Sequence, residues 1–175
     1  MFHKILVAVD RSENSKKVLD AAIALAKATG SSLMLLHVLS SEEKGYPVMP
    51  TLTIQEYYPV DGRLFEDYQK RWQTCEQEGL DLLRSYTNKA TAAGVSTEFT
   101  QNSGNSGRTI CEMAQTCGAD LIVIGRRGHS GWNELILGSV SNYVLHHAPC
   151  SVFTVQGQTQ ASPDISQAKQ AAMAS

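Results

Sequence analysis

The 175-residue chain has no apolar stretch approaching the ~20 residues that a bilayer-spanning helix needs. Its N-terminus runs straight into an apolar segment, with no signal-peptide cleavage pattern, so the expected compartment is the cytoplasm. Cysteine is scarce. Cys75, Cys111, Cys117 and Cys150 form no C-x-x-C and no zinc-type pairing with the histidines, so a disulfide framework and a structural zinc are not expected. Cys111 and Cys117 are six apart on a predicted helix, a spacing that points them in different directions, and buried or incidental free thiols are the expectation. There is also no basic excess. A net charge of −2 gives no electrostatic footprint for nucleic acid.

What is present is one domain's worth of chain with an ordinary core composition: 42% apolar and 18% charged residues place it among soluble globular proteins. Residues 2–9 and 32–39 are almost continuously apolar, as buried parallel strands are. Between them Val18, Leu19, Ala22, Ile23 and Ala26 fall on one helical face, with Ser12 a candidate cap and Gly30 a stop. Strand, helix and strand in forty residues make a βαβ unit with a right-handed crossover.

From residue 40 to about 64 the pattern breaks. Pro47, Pro50 and Pro59, with Gly45 and Gly62, forbid a long helix or central strand, while Tyr46, Tyr57 and Tyr58 give the excursion something to pack with. Such a length suits a lid, a partner surface, or a variable insertion without function. A long helix is predicted over 65–93, ended by Gly94, then an edge strand over 95–100 and a turn over 103–107. A third helix follows over 108–117 with Ile110, Met113 and Ala114 buried, stopped by Gly118, then a strand over 120–124. A fourth helix over 138–147 ends before Pro149, and residues 150–155 form the last strand. Residues 157–175 are rich in Gln, Ala and Ser and bury too little to offset their ordering entropy, so a flexible tail is expected after a domain of residues 1–156.

Five strands alternating with four helices specify an open, doubly wound α/β sheet with helices on both faces. Ligands bind such sheets beyond the carboxyl ends of the strands, where the strand order reverses. At one strand end the chain reads G-R-R-G-H-S-G-W-N-E-L-I-L-G-S from Gly125 to Ser139. A strand leading through a glycine loop to a helix N-terminus builds an anion cradle from backbone N–H groups. Arg126, Arg127 and His129 add side-chain charge. No lysine follows the last glycine, and the spacing is neither that of a P-loop nor that of a dinucleotide fingerprint.

The pattern G-x2-G-x9-G-S resembles the signature of the ATP-binding branch of the universal stress protein family, and the resemblance covers roughly residues 1–156. It implies strand order 3-2-1-4-5, with the reversal between the first and fourth strands, and a Rossmann-like fold of the adenine nucleotide alpha hydrolase type. It also implies adenosine at Ala8, Val9, Asp10 and the backbone of Val38, with ribose and phosphates along Gly125, Arg127, Gly128, Gly138, Ser139, Val140 and Ser141. Gly125 and Gly128 would let the backbone approach without a Cβ, and the Ser139 and Ser141 hydroxyls would add donors. The Arg126-Arg127 pair departs from the family's usual small-plus-histidine or small-plus-arginine forms and should increase attraction for a polyanion.

Single residues keep two readings. Asp10 either holds the turn that opens the first helix or accepts from adenosine; the resemblance favours the second. His37 reads as a satisfied core histidine, His146 and His147 as groups capping a helix C-terminus, and His129 as the histidine nearest a ligand. Trp132 covers the site or anchors the loop. No base, nucleophile or metal-binding carboxylate set is oriented toward the phosphates; Glu134 has nothing to orient it. The expected function is therefore ATP binding (or ADP or AMP), with Mg2+ or Mn2+ on the phosphates, by a homodimeric regulatory module, and the resemblance implies that it acts in stress response. A slow ATP hydrolase or phosphotransferase, and an adaptor with a vestigial pocket, stay open. As an apolar strand at the sheet edge, the segment from Cys150 to Val155 is the expected dimer contact.

Overall fold

The computed structural model describes residues 2–41, 43, 45–47, 62–126 and 138–156. Along the chain it forms β1 (Lys4–Val9), α1 (Asn14–Thr29), β2 (Ser32–Leu39), α2 (Gly62–Ala92) and β3 (Thr97–Ser103). Then come α3 (Ser106–Cys117), β4 (Leu121–Arg126), α4 (Ser139–His147) and β5 (Ser151–Gln156). The five strands are parallel in the order β3-β2-β1-β4-β5. That is the order the resemblance implied.

Alternation along the central strands divides the interior into two cores. Ile5, Val7, Leu33, Leu35 and Val123 face α1 and α2, where Val18, Leu19, Leu83 and Tyr86 meet them. Leu6, Leu36, Ile122 and Ile124 face α3 and α4, against Ile110, Ala114 and Val144. Burial on both faces explains why these strands read as unbroken apolar runs. Each fully buried Leu or Ile contributes about 1.5–3 kcal/mol relative to exposure. The helix stops lie at Gly30 (φ 72°) and Gly118 (φ 65°), left-handed positions that a side chain would strain.

Several boundaries differ from the sequence reading, some set by long-range pairing and others by a local side-chain cap. β3 runs to Ser103, past the expected end at residue 100, because its residues from Thr97 onward pair in step with Leu33 to Leu39 of β2. α3 starts earlier, at Ser106, because the Asn105 side chain accepts from Arg108 N at 3.1 Å and caps it. Gly107 thus lies inside α3, where a Cβ would come within 2.7 Å of the Tyr143 ring on α4. β4 continues through Gly125 and Arg126, which pair with Val155 and Gln156. Ser12 does not cap α1 with its side chain; Glu13 is the N-cap and the Ser12 hydroxyl goes to Asp10. Cys111 and Cys117 both pack half-buried against the second core beside Cys150, and all four cysteines are free.

Of the excursion, Tyr46 is placed edge-on against Trp72 of α2, with ring centroids 5.3 Å apart. Pro50, Tyr57, Tyr58, Pro59 and the stretch 157–175 lie outside the described residues.

Candidate functional site

Because β2 lies on one side of β1 and β4 on the other, the winding reverses between β1 and β4. A cavity of about 320 Å³ opens there, within the size range of small-molecule sites. Ala8, Val9 and Asp10 line it from the end of β1, and Val38 from the end of β2. Gly125 closes it from β4, and Gly138, Ser139, Val140 and Ser141 from the start of α4. Nine of the eleven expected site residues therefore meet around one space. Arg127 and Gly128 lie outside the described residues, as do His129, Trp132 and Glu134.

The start of α4 lines this space with N–H donors that have no partner within the helix. Its first intrahelical bond is Asn142 N to Gly138 O, 2.9 Å, so the N–H groups of Ser139, Val140 and Ser141 precede the ladder. These donors and the helix dipole favour an anion. The Ser141 hydroxyl is not among them, since it donates to Gly138 O at 3.0 Å. Gly138 has φ −57° and ψ 153°, an ordinary extended conformation, so a special backbone angle is not what its position requires.

Gly125 has a second duty that the spacing hid. A Cβ there would approach Asn14 Nδ2 to 2.7 Å and Val18 Cγ2 to 3.1 Å, so its bareness lets α1 pack close to β4.

Asp10 holds the turn that opens α1, and it does so at the cavity wall. Its Oδ1 accepts from Ser12 N at 3.0 Å, from Ser15 Oγ at 2.6 Å and from the Ser12 hydroxyl, while Asp10 N donates back to Ser15 Oγ at 2.8 Å. The carboxylate therefore locks the turn into α1 and lines the cavity at the same time. Ser15, only 3% exposed, is a buried hydroxyl with its partners supplied by this turn.

The cavity also recruits residues with no signal in the sequence pattern. Asn14, Ser15 and Val18 come from α1, Leu36 from β2, and Ser106 and Ile110 from α3. The most charged addition is Glu43, inside the excursion. Its Oε1 accepts from Arg11 N at 3.2 Å, Arg11 Nε at 3.1 Å and His37 Nε2 at 3.2 Å. Burial pushes the Glu43 carboxyl up, but the hydrogen bonds from His37 and Arg11 and the nearby Arg11 charge outweigh it and hold the group below the ordinary carboxylate range.

His37 is fully buried and is the satisfied core histidine that was expected. The Gln101 amide nitrogen gives one hydrogen to Glu76 O and the other to His37 Nδ1, each at 3.2 Å, so His37 Nδ1 accepts and Nε2–H donates to Glu43. His147 turns its Nδ1 toward Tyr143 O, 2.9 Å, and stacks on the Tyr143 ring at the end of α4.

Among the described residues no group of three or more His, Cys, Asp or Glu side chains could hold a metal ion. No helix among them is long and apolar enough to cross a membrane.

The sequence profile of the universal stress protein family matches residues 1–156. The chain belongs to that family. A universal stress protein of Synechocystis sp. (Sll1388) is 37% identical over 155 residues, 89% of this chain and 98% of its own length. The universal stress protein YxiE of Bacillus subtilis is 35% identical over 89% of this chain and all of its own length. Among solved structures, universal stress protein UspA from Lactobacillus plantarum superposes with a TM-score of 0.67 at 22% identity, covering 87% of this chain and 97% of that one. An Arabidopsis thaliana family member with AMP bound gives 0.61 at 23% identity, covering 93% and 97%. An Archaeoglobus fulgidus universal stress protein in complex with dAMP gives 0.56 at 21% identity, covering 87% and 96%. At these identities the structural likeness establishes the fold.

Proposed function

We propose that this universal stress protein is an adenine-nucleotide-binding regulatory module of the cytoplasm, with ATP as its principal ligand and ADP or AMP held by the same cradle. The observation that carries the reading is the meeting, at one reversal point, of an apolar slot and an anion site. Ala8, Leu36, Val38 and Ile110 supply the slot, and the open N–H groups of Ser139, Val140 and Ser141 supply the anion site. A nucleoside phosphate has those two ends. Relatives of the same fold solved with AMP or dAMP support the assignment.

In this reading the base and ribose lie by Ala8, Val9, Asp10 and Val38. The phosphates run along Gly125, Arg127, Gly128 and Gly138 to the α4 terminus. Mg2+ or Mn2+, if it accompanies ATP, is held by phosphate oxygens rather than by a protein ligand set. The role in stress response follows from family membership.

The module is proposed to act as a homodimer. β5 is a sheet edge, and Phe153 on it is 43% exposed, an unusual placement for so large an apolar side chain on a free edge. Pairing of two β5 strands across a two-fold axis, from Cys150 to Val155, would satisfy the free backbone groups and cover Phe153.

The test is to denature purified protein and identify released nucleotide by mass, then follow thermal unfolding with added Mg-ATP. At 100 times the dissociation constant the expected stabilisation is about 2.7 kcal/mol. No released nucleotide together with no shift at saturating Mg-ATP would leave an adaptor with a vestigial pocket.

A further inference from the structure

Glu43 lines the cavity on the β2 side, near Leu36 and Val38, and its side chain is 9% exposed. One oxygen, Oε1, is saturated by three N–H donors from Arg11 and His37. Those donors are themselves fixed. Arg11 Nη1 pairs with Glu78 at 2.5 Å, and the buried His37 ring is held from behind by Gln101. No described residue donates to Oε2. A carboxylate of little exposure thus lines the cavity with one oxygen anchored by Arg11 and His37 and the other lacking a donor among the described residues. Oε2 is not sealed from the cavity, so it is open to a hydrogen-bond donor on a molecule that enters there.

An anchoring role for Arg11 alone would not require the carboxylate to line the cavity. Nor does it suit phosphate, which like charge would keep from this wall and which the N–H groups of α4 attract to the opposite side. What suits it is the N–H edge of the base occupying the slot.

We propose that Glu43 is a specificity-determining residue of the nucleotide site, its Oε2 accepting a hydrogen bond from the 6-amino group of a purine. This inference rests on the nucleotide-binding reading above. A 6-aminopurine places a donor against the carboxylate. A purine with hydrogen at position 6 leaves Oε2 without that partner, and a 6-oxopurine sets an acceptor against it.

The substitution Glu43→Gln is informative because of the same three donors. Arg11 and His37 require an acceptor, so they hold the amide oxygen and turn the NH2 toward the cavity. The wall then donates where it accepted.

Calorimetric titration of the full chain with AMP, purine riboside 5′-monophosphate, IMP and dAMP tests this. Wild type should bind AMP about ten- to a hundredfold more tightly than purine riboside 5′-monophosphate, the range for a hydrogen bond to a charged group. IMP should bind more weakly than AMP by at least as much. In Glu43→Gln both preferences should collapse, with IMP gaining in absolute affinity. If that variant does not fold, Glu43→Asp, which keeps the charge but withdraws the acceptor by one methylene, should lose the preference for AMP over purine riboside 5′-monophosphate.

Equal weakening of all four nucleotides would reduce Glu43 to a structural anchor and overturn the proposal. So would a preference for AMP over dAMP that vanishes in the variant, because it would put Oε2 on the ribose. Wild type that binds none of the four sinks the nucleotide reading itself. Wild type that binds them with ratios unchanged by the substitution sinks this inference alone.

Discussion

Replacing Gly79 by Ala should destabilise the protein, against the usual rule for a helix interior. Gly79 lies in the middle of α2, where alanine is ordinarily better by about 1 kcal/mol. Here a Cβ would come within 2.4 Å of Gln101 Nε2, 2.5 Å of His37 Nδ1 and 2.7 Å of His37 Cε1. The His37 ring is fully buried, so it cannot swing into solvent. Either α2 lifts from β2 and β3, an overpacking cost of about 1–3 kcal/mol, or the Gln101–His37 bond breaks. The second route leaves buried polar atoms without partners at about 1–3 kcal/mol. Set against the propensity gain, the net loss is about 1–3 kcal/mol if both costs are partly incurred, or roughly 2–4 °C in melting temperature per kcal/mol for a domain of this size. Urea denaturation of wild type and Gly79→Ala measures it. A variant as stable as wild type or more so would refute the packing argument. It would also loosen the claim that His37 and Gln101 rigidly support Glu43.

Gly138→Val should fold normally, since φ −57° is open to valine, yet bind ATP at least tenfold more weakly because the side chain enters the phosphate path; retained affinity by calorimetry would contradict this. Phe153→Glu should convert the proposed dimer to monomer in light scattering at tens of micromolar, with little change in melting temperature of the protomer, because Phe153 is 43% exposed. Acid should remove a contribution that Glu43 makes. Its folded-state pKa lies below the ordinary value, so that contribution is complete above the unfolded-state pKa and is lost as pH falls through the folded one. The stability gap between wild type and Glu43→Gln should therefore narrow below the ordinary carboxylate range, and a gap that widens in acid would reverse the sign of the argument.

The parts of the fold legible from sequence were those set by local pattern. β1, β2 and α1 followed from apolar runs and one helical stripe, and Gly30 and Gly118 marked helix ends through their own backbone angles. What the sequence hid depends on partners far along the chain. Nothing near Gln101 says that its strand continues, because the reason is the ladder to β2. Gly107 looks like a turn residue until Tyr143 is seen against it, and Gly125 looks like a ligand-facing glycine until Asn14 and Val18 are seen behind it. Asp10 was ambiguous because the carboxylate that holds the turn into α1 also lines the cavity. Glu43 was missed for a different reason. It sits in an excursion without periodicity, and only the positions of His37, Arg11 and Val38 in space reveal what it can do.

The most direct test of the account is a calorimetric titration of the wild-type chain, freed of any co-purified nucleotide, with Mg-ATP, run beside Gly138→Val. The account predicts saturable binding of one nucleotide per chain in wild type and at least tenfold weaker binding in the variant. No binding by folded wild type up to millimolar Mg-ATP, or equal affinity in both proteins, would contradict it.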